Sequence, residues 1–177
     1  MRTKTIATAL IVAASLVVAG GISLAQQDRN TLAVPGGLAL SEFRGYDAWE
    51  DVAVSETKGS VKAILGNPAM IKAYKEGIPD NGKPFPDGVA VVKIEWIKKT
   101  NPVSPYFVEI PDTLKTLSFI EKDSKRFPKT HGWAYAQFAY DAASRTLKPS
   151  VSSPECGYAC HTIVASRDYI YTAYPPR

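Results

Sequence analysis

The segment PECGYACH, residues 154–161, holds both cysteines of the 177-residue chain and one of its two histidines. Only three residues separate Cys156 from Cys160, so the pair cannot staple distant parts of the chain. A disulfide between them would close a tiny loop and remove little entropy from the unfolded state. The fold must therefore come from a hydrophobic core, which needs chain length and apolar periodicity.

The N-terminus is excluded from that core. Arg2 and Lys4 precede an apolar run over residues 6–19, and Ser23-Leu24-Ala25 places small residues where a signal peptidase reads. An uncleaved membrane anchor is the alternative, but the run is short against the roughly 20 residues a bilayer requires. Residues 1–25 are thus expected to be a signal peptide, and the protein to be exported, most simply to a periplasm. Without Arg2 and Lys4 the net charge of +4 falls to +2. That balance is too weak to indicate nucleic acid or an acidic membrane as partner. About 150 residues remain, enough for one domain with its own core. Residues 26–44 begin QQDRNTLAVPGGLAL and lack periodicity, so they are expected to form a leader or linker, with the domain at 45–177.

Within the domain, residues 46–56 and 61–65 read as strands. Asn67-Pro68 then caps and opens a helix that Gly77 closes. Residues 78–88 are proline- and glycine-rich loop. VAVVKIEWI, residues 89–97, is the strongest strand signal. Its alternation sets Val89, Val91 and Lys93 on one face and Ala90, Val92, Ile94 and Trp96 on the other. Residues 116–121 and 133–140 read as further strands, with a small helical turn between them. The cysteine segment reads as a short helix and residues 168–174 as an extended tail. The expected class is α+β: a mainly antiparallel β-sheet with a few short helices, the cysteine segment lying near the C-terminus.

Three chemistries compete for the cysteine segment. Pairing of the thiols is the ordinary fate of two cysteines in an oxidising compartment. A closed zinc site needs four ligands, and this cluster offers three. Haem attachment uses all three residues, with Cys156 and Cys160 as thioether donors and His161 as the iron ligand. The usual signature is Cys-x-x-Cys-His, and this one has an extra residue. For a sixth iron ligand the mature chain offers Met70, in an apolar helix, and His131, in a polar loop. Both have ordinary roles there, as core filler and solvated loop residue, so an open distal side is expected.

From about residue 45 to the C-terminus the chain resembles the cytochrome P-460 family, which includes the cytochromes c′-β. The matching pieces run in family order: LGNPAMIKAY, FPDGVAVVKIEW, EKDSKRF, HGWAYAQF and CGYACHTIVASRDYIYTAYPPR. The resemblance implies a c-type haem held by Cys156, Cys160 and His161, a mainly antiparallel fold and a homodimer. It also implies a small nitrogen ligand, hydroxylamine or nitric oxide, and a redox partner cytochrome.

In family members that oxidise hydroxylamine, a lysine matching Lys93 is bonded to the haem edge, and a distal carboxylate accepts protons. Here the carboxylate position matches Ser118, and a family arginine matches Lys62. Serine is a poor base. Glu121 alternates away from Ser118, leaving Glu95 and Glu109 as substitutes. From the strand pattern alone, Lys93 is a snorkelling residue whose ammonium reaches water. Burial beside a haem would instead favour its neutral, nucleophilic amine. Catalytic roles are thus expected for Lys93 and Ser118. The alternatives are a nitric-oxide-binding or electron-transfer cytochrome without turnover, and a disulfide-stapled domain without haem.

Overall fold

A computed structural model describes residues 27–177; the expected signal segment lies outside the described residues. Six strands form one antiparallel sheet in chain order: β1 (Glu50–Thr57), β2 (Ser60–Gly66), β3 (Ala90–Thr100), β4 (Glu109–Lys122), β5 (Trp133–Asp141) and β6 (Thr146–Pro149). Two short helices, α1 (Pro68–Lys75) and α2 (Pro154–His161), flank it. This is the expected α+β class. Among the described residues no helix is long and apolar enough to cross a membrane.

Alternation divides the sheet into two faces. On one, Ala90, Val92, Leu117, Phe119, Ala134, Ala136, Phe138 and Leu147 join Val34, Leu38, Leu40 and Phe43 in a closed core. Phe43 stacks on Phe119 with ring centroids 4.4 Å apart. Each such side chain contributes roughly 1.5–3 kcal/mol by leaving water. The segment expected as a leader or linker therefore supplies a wall of this core. It does so through a bridge between Ala33 and Ala39 and 3-10 turns at Arg29–Thr31 and Leu40–Phe43. Such irregular backbone leaves no period in the sequence.

On the other face, Ile64, Val91, Trp133 and Tyr135 join Val52, Met70, Ile71, Phe85 and Ile170 in a second cluster. Helix α1 starts as its sequence dictates: Asn67 Oδ1 accepts from the Met70 N–H at 2.8 Å, and Pro68 occupies the first turn.

Three expectations need correction. The first strand begins at Glu50 rather than at residue 46, because Tyr46–Ala48 is a 3-10 turn. That turn presents Tyr46 edge-on to Phe119 at 5.2 Å. Strand β4 is far longer than residues 116–121 and contains Pro111, which disfavours strands. Register shifts around Trp96 accommodate it. The tail from Asp168 is not regularly extended, since Asp168 and Tyr169 are both left-handed, at φ 48° and 65°.

Candidate functional site

Register brings the predicted residues together. Ile64, Lys93, Ser118 and Gln137 are consecutive partners across β2, β3, β4 and β5. In the neighbouring row on the same face stand Lys62, Glu95 and Thr116; in the opposite one, Val91, Ile120 and Tyr135. Over these rows lies a cavity of about 620 Å³. Ile64, Val91, Ile120 and Ile170 make its apolar walls, and Lys62, Lys93, Ser118 and His161 reach it as well. The C-terminal tail closes one side. Tyr74 Oη donates to the Thr172 carbonyl at 2.9 Å, and the Arg177 guanidinium donates to the Val52 carbonyl at 2.8 Å.

Lys93 is half-buried. Burial lowers its amine below the ordinary lysine value; Glu95 opposes the shift, and the charges of Lys62 and Lys115 add to it. Ser118 Oγ accepts from the Gln137 amide at 3.1 Å. Glu95 shares the face of Lys93 but is engaged by Ser60 (2.6 Å), Lys115 (3.1 Å) and Thr116 (3.1 Å), with Lys62 at 3.7 Å. Burial alone would raise its carboxyl; those hydrogen bonds outweigh it and lower the group to about 2. Glu109 pairs with Lys98 along the hairpin. Glu121 is partnered across the sheet with Ala90 and Ala134, on the closed-core side. Among the described residues no carboxylate lines the cavity.

From α2 only His161 lines the cavity; Cys156 and Cys160 do not. Cys156 and Cys160 are free and exposed. Four residues apart on a helix, they share one face with β-carbons about 5–6 Å apart. A disulfide needs about 3.5–4.5 Å, so α2 would have to unwind to form one. Side-chain hydrogen bonds with Ser152 (3.2 Å) and Ser153 (3.8 Å) lower the Cys156 thiol to about 7, favouring the reactive thiolate. His161 Nδ1 lies 2.6 Å from the Tyr169 carbonyl. A carbonyl only accepts, so Nδ1 carries the proton and Nε2 keeps a free lone pair. Burial lowers the imidazole's basicity; the Tyr169 carbonyl opposes this, and the charge of Lys93 adds to it.

Two residues not anticipated from sequence set how closely α2 packs on β5. A β-carbon on Gly157 would meet Tyr135 Cβ at 2.3 Å, so only glycine lets α2 lie this close to β5. The Tyr135 ring sits 4.6 Å from the His161 ring, and its hydroxyl is buried without a hydrogen-bond partner. Neither signal is local: an unremarkable glycine and a tyrosine 22 positions earlier must be juxtaposed by the fold. His131, expected as a solvated loop residue, is exposed but pairs with Tyr158 through Nδ1 at 2.7 Å. Met70, on α1, is fully buried. Neither lines the cavity.

The arrangement fits a covalently attached haem. Two free thiols share a helix face, the adjacent imidazole presents Nε2, and the cavity volume falls within the roughly 300–1,000 Å³ of cofactor sites. Among the described residues no three histidine, cysteine or acidic side chains converge as a metal site, so the zinc reading gains no geometric support. A family model described as Cytochrome P460 matches residues 43–172. No curated protein matches the chain. The chain thus belongs to the cytochrome P460 family, whose members are c-type haem proteins.

Proposed function

We propose that this is an exported haem c protein whose cavity binds a small nitrogen compound, hydroxylamine or nitric oxide, with little or no turnover. One observation carries the reading: Lys93, Ser118 and His161, far apart in sequence, share a single largely apolar cavity. Cys156 and Cys160 would hold the haem, and His161 Nε2 would bind its iron. When bound, the haem would supply an iron atom able to take up the small ligand.

The protein's own residues divide the remaining work. Ile64, Val91, Ile120 and Ile170 exclude water. Ser118 and Lys93 offer hydrogen bonds to a ligand. The lowered basicity of Lys93 makes its neutral amine available at a lower pH than in an ordinary lysine, which suits it to bonding at the haem edge. Oxidation of hydroxylamine also requires a proton acceptor. Ser118 is a poor one, and Glu95 is held ionised by Ser60, Lys115 and Thr116. Trapping of the ligand is therefore favoured over its oxidation.

Spectra of the haem-loaded protein test this. Nitric oxide should bind and shift the main absorption band, while hydroxylamine oxidation with an artificial acceptor stays slow. Ser118→Glu, which returns a carboxylate to the cavity, should raise that rate at least tenfold. A fast wild-type rate, or no gain in Ser118→Glu that still binds nitric oxide, contradicts the division of roles. Lys93→Ala should keep its haem and lose any red-shifted ferrous band; an unchanged band rejects the lysine bond.

A further inference from the structure

His161 is braced by a charge pair that ties a turn seven residues on, at Asp168, to the remote Lys122. Lys122, at the end of β4, and Asp168 form an ion pair of 2.6 Å, with side chains only 7% and 13% exposed. Lysine and aspartate are seldom buried, and a buried pair is generally no more stabilising than an apolar pair of equal volume. Its position suggests another use. Asp168 and Tyr169 are consecutive non-glycine residues in the left-handed region, a conformation that persists only where the surroundings enforce it.

The enforcement is visible. Asp168 Oδ2 accepts both the Lys122 ammonium and the Phe85 N–H, the latter at 2.8 Å. Lys122 is fixed in turn. Its N–H donates to the Val89 carbonyl at 3.0 Å, its carbonyl accepts from the Gly88 N–H at 2.8 Å, and its ammonium lies 5.3 Å over the Trp133 ring. On the far side of the turn, Ile170 is buried in the core. Between these fixed points stands the Tyr169 carbonyl, which accepts from His161 Nδ1–H at 2.6 Å.

We propose that the buried Lys122–Asp168 pair positions the iron ligand, holding the left-handed 168–169 turn so that the Tyr169 carbonyl bonds His161 Nδ1–H and strengthens Nε2 as a donor. This rests on the haem reading above. A second-layer acceptor of this kind fixes the tautomer and raises ligand basicity. A stronger donor favours ferric iron, so the pair holds the reduction potential down.

The test uses the haem-loaded protein and its Lys122→Met, Lys122→Arg and Asp168→Asn variants. In Lys122→Met and Asp168→Asn, the reduction potential should rise, the ferrous iron–histidine stretching frequency should fall, and hydrogen exchange at His161 Nδ1–H should quicken about tenfold. Lys122→Arg, which keeps the charge, should restore all three. Leu147→Ala, in the opposite core, should lower thermal stability and move none of them. Variants that lose stability while potential, frequency and exchange stay at wild-type values would overturn the proposal. So would a wild-type His161 whose Nδ1–H makes no hydrogen bond to the Tyr169 carbonyl, a measurement that needs no variant to fold. If the wild type carries no haem, the haem reading fails instead.

Discussion

The two faces of the sheet share the same six strands and differ in nearly every other respect. One is closed by residues 32–49 into an aromatic core, with Phe43, Phe119 and Phe138 almost fully buried. The other holds its apolar cluster at one end, around Trp133 and Phe85, and opens at the other into the cavity with Lys93 and Ser118. The left-handed Asp168 and Tyr169, a buried ion pair and an orphaned tyrosine hydroxyl all lie on or beside this second side. Both faces thus carry an apolar core but only the second carries the chemistry, so substitutions in the closed core should separate the two.

The largest effect should come from the closed core. Phe119→Ala deletes a fully buried ring stacked on Phe43 and should destabilise by about 3–5 kcal/mol. In denaturant titration its midpoint should drop, while the folded fraction keeps its ligand-binding spectrum. A changed spectrum would mean that the faces are not independent.

Gly157→Ala should come next. Its new methyl would collide with Tyr135, and overpacking of this kind costs about 1–3 kcal/mol. Unlike Phe119→Ala, it should also displace α2 and reduce the yield of covalently attached haem. Normal yield, read by haem staining, would show that the close approach of α2 to β5 is dispensable.

The smallest effect is one of pH. Glu95 is lowered from 4.5 to about 2 in the fold, so its stabilising contribution is complete above about 4.5 and is lost as pH falls towards 2. Since Lys115 is half-exposed and solvent screens the pair, the contribution should be modest. Glu95→Gln should flatten that part of the stability profile. An unchanged profile would remove the Glu95 network from the account.

The same division governs what could be read from the sequence. Strands β2, β3 and β5 carry dense apolar runs, and α1 carries its cap and proline, so local pattern sufficed for them. Lys93 and Ser118 were placed on the cavity face by alternation and resemblance together. Val34 and Leu38 were not legible as core because 3-10 turns and a single bridge have no period. Strand β6 is only four residues long and ends in proline. Tyr135, Gly157 and the Lys122–Asp168 pair were invisible for another reason: each gains its meaning from a partner more than 20 positions away.

The most direct test of the central claim is mass spectrometry on the peptide spanning residues 154–167 from protein made with haem-attachment machinery. The account predicts a peptide carrying one haem through thioethers at both Cys156 and Cys160. Recovery of that peptide unmodified, or lighter by two hydrogens through sulfur–sulfur pairing, would contradict it.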